Sequence, residues 1–153
     1  MTLESIFFKM SKRQKGYIYL CKYEALERTI NQVTGKVIHE GIVEKWKYGK
    51  TKNIDQRMKY YNSAYTLIEY WKVDHLTLRE EDIHGNWNIE EYRRENDKDS
   101  RDEHVDFDCY DIVKEAATCK IILKNDKIFH IDNNNYEYQS YSSSYIFDLL
   151  KIK

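Results

Sequence analysis

Residues 17–23, YIYLCKY, place Ile18 and Leu20 on one face and Tyr17, Tyr19 and Cys21 on the other, in β-forming residue types. A period of two predicts a strand with Tyr19 pointing away from the side taken by Ile18 and Leu20. A second strand is predicted over 42–50, IVEKWKYGK, with Trp46 and Tyr48 on one face and Lys47 and Gly49 on the other. Between the two, Thr34-Gly35 sits between short β-prone runs and reads as the turn of an extra hairpin. NIDQRMKYY then switches period. Asn53 suits an N-cap, Asp55 falls in the first turn, and Ile54, Met58 and Tyr61 recur at helical spacing, with Arg57 and Tyr60 on another side. TLIEYWKV (66–73) predicts a third strand.

Beyond Asp74 the pattern thins. A short helix is expected at 77–84, whereas 93–106 has too few apolar residues to offset ordering and reads as a mobile loop. YDIVKEAATCKI carries Ile112, Ala116 and Cys119 at helical spacing; KIIL and KIFHID flank Asn125-Asp126 as a hairpin; SSSYIFDLLKIK reads as a closing helix behind a serine cap. The tract NNNYEYQSYSSSY offers amides and tyrosines able to stack on bases, but reads first as a polar edge strand and loop. The expectation is one α+β domain over 1–153: a small antiparallel sheet flanked by helices at 16–90, an acidic loop at 91–108, and a C-terminal hairpin and helix at 109–153.

A length of 153 residues fits one continuous core. No apolar run approaches the roughly 20 residues of a membrane span, and the N-terminal apolar patch precedes its basic cluster, the reverse of a secretory signal. Cys21, Cys109 and Cys119 lie far apart with no CxxC pair, which predicts a reducing compartment, the cytoplasm or nucleus. The net charge of −1 hides an asymmetry: residues 1–59 hold 13 basic against 6 acidic residues, and residues 80–108 hold 4 against 12. A polyanion-binding part beside an acidic part would give this distribution, and so would two solvated faces.

Absences narrow the chemistry. The five glycines form neither GxGxxG nor GxxxxGK[ST], so those phosphate-cradling loops are missing, and no two histidines stand at HxxxH spacing. What remains is an ordered set: GYIYL (16–20), then KYG (47–49), then GKTKNIDQR (49–57), which sets Arg57 eight residues past Gly49 on a capped helix. This set resembles the GIY-YIG nuclease superfamily over about residues 16–75. Ile18-Tyr19 match the end of the first motif and KYG stands for the second, as in the phage and large-virus branch whose second motif reads KIG. Tyr17 replaces the first glycine, Lys47 replaces a tyrosine, and the interval from Tyr19 to Lys47 is longer than the family's.

The resemblance implies a divalent-metal-dependent DNA endonuclease, encoded by a virus, phage or mobile element and acting inside a host cell. In it Tyr19, with Tyr17 beside it, would hold or deprotonate the attacking water, and Lys47 would lower the tyrosine's pKa or bind phosphate. Arg57 would stabilise the charged transition state, a role that suits its forked, permanent cation. A glutamate after the third strand would hold Mg²⁺ or Mn²⁺; Glu80, in an E-x-x-I-H pattern with His84, matches that place, with Glu81 and Glu115 as alternatives. Lys15, Lys45, Lys50, Lys52 and Lys59, with Lys9, Lys12 and Arg13, would neutralise DNA phosphates without reading bases. The competing readings are a half-buried strand aromatic for Tyr19, a solvated charged turn for 79–82, and a degenerate domain that binds nucleic acid or protein without cleaving it.

Overall fold

The structure, a computed structural model, describes residues 2–61, 64–99 and 101–139. The expected closing helix and the end of the tyrosine tract lie outside them. The described residues form a mixed α and β fold with two antiparallel sheets.

An unanticipated helix, α1 (Leu3–Arg13), comes first; the Thr2 hydroxyl caps it by accepting from the Ser5 N–H at 3.1 Å, and Ile6 and Met10 are buried. β1 (Gly16–Ile30) and β2 (Val37–Thr51) then form a hairpin paired along its length. α2 (Ile54–Tyr61) begins where the Asn53 side chain accepts from the Gln56 N–H, as the capping argument requires. β3 (Thr66–Val73) coincides with the predicted strand, and α3 (Leu76–His84) begins one residue before its predicted position. α4 (Trp87–Glu95), β4 (His104–Val105), α5 (Tyr110–Thr118), β5 (Lys120–Lys124), β6 (Lys127–Ile131) and β7 (Glu137–Gln139) follow. The first sheet has the order β3-β1-β2-β4, and the second β5-β6-β7.

Two expectations are corrected. Thr34-Gly35 does not belong to a separate hairpin, because β1 and β2 run on past their neighbours and this step is in their own turn. Gly35 takes φ +71, and the Asn31 side chain accepts from the Val33 and Thr34 N–H groups. Nor is 91–108 a loop throughout. Ile89 and Tyr92 anchor α4 in the core, and Val105, fully buried, pins β4 against Trp46 and Lys47 of β2. One apolar residue every few positions is enough to order a charged segment when each is buried.

The sheet is covered on both faces. Ile18, Leu20, Trp46 and Tyr48 pack with Leu76, Ile83, Ile89, Tyr92, Val113 and Ala116 from α3, α4 and α5. Tyr19 and Cys21 face the other way, as their alternation predicts, yet they too are buried, under Ile54, Met58 and Tyr61 of α2. A third cluster joins α1 to α3 and β6 through Met10, Leu78 and Ile128. The three cysteines are free and buried, and among the described residues no helix is long and apolar enough to cross a membrane.

Candidate active site

Strand pairing builds the centre of the site. Tyr19 of β1 lies opposite Gly49 of β2, and a Cβ at Gly49 would run into the Tyr19 phenol and come within 2.8 Å of a Glu103 carboxylate oxygen. Any larger residue at position 49 would fill the space that Tyr19 and Glu103 occupy. The glycine of KYG therefore has a steric cause in this chain. It lets a phenol from one strand and a carboxylate from the β4 approach meet over the strand backbone.

α2 closes the site from above. The Tyr61 hydroxyl lies 2.7 Å from the Tyr19 hydroxyl, and the Arg57 guanidinium sits 5.9 Å from the centre of the Tyr61 ring. Burial, first, and then the hydrogen bond with Tyr61 push the Tyr19 phenol far above its ordinary pKa; nearby Arg57 opposes this without reversing it. The phenol is therefore neutral at physiological pH, suited to holding a water or a phosphate oxygen by hydrogen bonding and unsuited to abstracting a proton. Hydrogen bonding to Tyr61 is the main influence raising the Arg57 pKa, so this cation is permanent.

Lys47 lies on the Gly49 side of β2, beside the site. Its ammonium faces Glu103 at 3.7 Å and the Tyr61 ring at 5.5 Å. Glu103 is held on the β2 edge by its backbone, whose carbonyl accepts from the Tyr48 N–H at 3.2 Å. Its carboxyl is pushed up to about 7, chiefly by burial and further by Glu80, against the pull of Lys47 and Lys50.

Glu80 and His84, one turn apart on α3, bring ligand atoms within 4.8 Å of one another and of Glu103. The Lys50 ammonium stands 3.2 Å from Glu80. His84 Nδ1 lies 2.9 Å from both the Tyr48 hydroxyl and Arg93. Arginine only donates, so this nitrogen is the acceptor and the neutral ring carries its proton on Nε2. Burial lowers the His84 pKa and favours that neutral form. No lone pair is then left on His84 for a metal, and the two carboxylates remain. Two close carboxylates beside a glycine-cleared space are hard oxygen donors that fit Mg²⁺ or Mn²⁺.

The structure thus gathers Tyr19, Lys47, Arg57 and Glu80 of the expected residues around one site. Tyr17 shares the Tyr19 side of β1, but its ring packs edge-on against Tyr70 at 5.7 Å. Glu81 and Glu115 are not in the carboxylate group; Glu115 accepts from Asn133 on the second sheet's side. Lys45 is paired with Glu27 and Lys50 with Glu80, and Lys52 donates to the Arg13 carbonyl, while Lys15 and Lys59 are exposed. A shallow groove lined by Thr51, Asn53, Gln56, Arg57 and Tyr60 leads along α2.

Two residues of the site went unassigned in the sequence. Glu103 was hidden in the acidic stretch, where the alternation of His104, Val105, Asp106 and Phe107 was the available signal of a strand. Tyr61 also ends the apolar stripe of α2, which conceals its second role in the sequence. Compared with protein-family models, curated proteins and solved structures, the chain matches none of them.

Proposed function

We propose that this chain is a divalent-metal-dependent DNA endonuclease of the GIY-YIG type. The observation that carries the reading is the meeting of Tyr19, Arg57 and the Glu80–Glu103 pair around the space left by Gly49. Phosphodiester hydrolysis needs cations beside a phosphate that gains charge and a group that orients water. Arg57 supplies the forked cation at the mouth of the groove. Neutral Tyr19, fixed by Tyr61, positions the nucleophile by hydrogen bonding, and Lys47 is kept beside the site by Glu103. Glu80 and Glu103 would hold the divalent ion, which when bound contributes Lewis-acid stabilisation of the developing charge.

One observation favours a second reading, a non-cleaving nucleic-acid-binding or protein-binding domain. Glu103, from the acidic segment, folds onto Lys47, and Glu80 pairs with Lys50, so cations and carboxylates of the site neutralise each other.

Supercoiled plasmid incubated with Mg²⁺, Mn²⁺ or chelator, beside Arg57→Ala, separates the two. Metal-dependent nicking that vanishes in the variant supports hydrolysis at this site. Wild type and variant equally inert, yet both shifting DNA at low salt, would leave the binding reading in its place.

A further inference from the structure

Asp82 stands two residues from both Glu80 and His84, and at 100° per residue it projects from the other side of α3. There it meets Cys119, the C-cap of α5, and His130 in β6. One ligand atom from each lies within 4.8 Å of the other two, with His130 0% and Cys119 2% exposed. Asp82 Oδ2 is 2.9 Å and Cys119 Sγ 3.6 Å from His130 Nδ1.

This is not a nucleophilic relay. A Cys–His–Asp relay uses the two ring nitrogens separately, whereas here sulfur and carboxylate crowd the same one, in a place closed to substrate. Nor is it a completed hydrogen-bond network. Asp82 Oδ2 is buried without a hydrogen-bond partner despite its approach to Nδ1, and His130 Nε2 is buried without one as well. Unsatisfied buried polar atoms are costly. A cation placed among the three would satisfy the carboxylate and Nδ1 together.

We propose that Asp82, Cys119 and His130 form a binding site for a zinc-class divalent ion. Thiolate, imidazole and carboxylate are borderline-soft donors of the kind zinc takes in tetrahedral geometry, with a fourth position left to water. Binding releases the thiol proton, so ion, thiolate and carboxylate are neutral together. Arg79, 3.5 Å from Cys119 Sγ, and Glu115, which acts electrostatically on the same cysteine and has a buried, unpartnered Oε1, add one charge of each sign. The ion would pin the β5–β6 hairpin to α3, the helix that carries Glu80, and the site stands whether or not the chain cleaves DNA.

The test is titration of the metal-free full chain with Co²⁺, read by absorption. One equivalent bound with a thiolate-to-cobalt charge-transfer band, displaced by Zn²⁺ but not by Mg²⁺, is the expected result. Cys119→Ser should lose the band, whereas Glu80→Gln and Glu103→Gln should keep it. No band in the folded wild-type chain overturns the site, as does a band that survives in Cys119→Ser. Should Cys119→Ser fail to fold, Asp82→Asn replaces it: a lower cobalt affinity with the band retained supports the assignment, and unchanged affinity overturns it.

Discussion

The hydroxyls of Tyr19 and Tyr61 stand 2.7 Å apart, joining an inner strand of the sheet to the helix that carries Arg57. Removing either hydroxyl leaves the rings packed, so each Tyr→Phe change should cost within about 1 kcal/mol of stability. If Tyr19 positions the nucleophile, Tyr19→Phe should slow single-turnover nicking by about a hundredfold or more at unchanged circular dichroism. Tyr61→Phe should slow it less, because Tyr61 acts through Tyr19. Equal, small effects would mean that the pair is structural.

Gly49→Ala tests the steric argument. Its methyl group would overlap the Tyr19 phenol and crowd the Glu103 carboxylate. Overpacking of this kind costs about 1–3 kcal/mol, which for a chain of this size lowers the unfolding midpoint by roughly 3–10 °C. Nicking should fall with it, since Tyr19 and Glu103 cannot both keep their places. An unchanged midpoint would show that the space is easily remade.

Glu103 gives a pH dependence of definite sign. Its carboxyl is raised from an ordinary value of 4.5 to about 7, so the folded state holds a proton that the unfolded chain has lost between those values. Stability is full below about pH 4.5 and declines as pH rises towards 7, by up to roughly 3 kcal/mol from this group. Glu103→Gln should therefore gain on wild type as pH rises, levelling off above 7 in chemical denaturation. Mg²⁺ should narrow that gap by stabilising the wild type more.

These residues also show what the chain discloses before it folds. β3, α2 and the inner halves of β1 and β2 were legible because each carries a clean period, and the side taken by Tyr19, Lys47 and Gly49 follows from that period alone. The α1 stripe of Leu3, Ile6, Phe7 and Met10 was equally periodic but was masked by the basic cluster around it. The charged stretch after Asp74 was harder, because its polar residues are tied by tertiary partners. Arg79, 6% exposed, donates to Asp74 and to the carbonyls of Ala116 and Cys119, contacts that no local pattern announces. Glu103 and His130 escaped for the same reason.

His75 should govern the acid limb of stability. It opens α3 in a left-handed conformation at φ 47, stacks on Phe7, and is 1% exposed. Burial, first, lowers its pKa from 6.5 to about 4; Asp74 opposes the shift, and Arg79 and His130 add to it. Below pH 6.5 the unfolded chain takes up a proton that the folded one refuses, so stability falls as pH drops from 6.5 to about 4, by roughly 3 kcal/mol from this residue. His75→Asn, whose side chain tolerates that backbone, should flatten the limb in a pH series of unfolding midpoints.

Among the described residues the hairpin of β1 and β2 outruns its neighbours: β3 pairs as far as Lys22, and β4 holds Trp46 and Lys47. Past those points, among the described residues, it is a two-stranded ribbon with Leu26, Ile30, Ile38 and Ile42 exposed. Inner amides near Ile18 and Leu20 can exchange with solvent only when the core opens, whereas those beyond Tyr23 need only the ribbon to fray. Hydrogen exchange along β1 should therefore change from slow to fast part-way through a continuous strand. A protease cut between Asn31 and Lys36 would sever the turn and leave Tyr19 opposite Gly49. The two halves of the hairpin keep different time, and only the inner half is tied to the survival of the site.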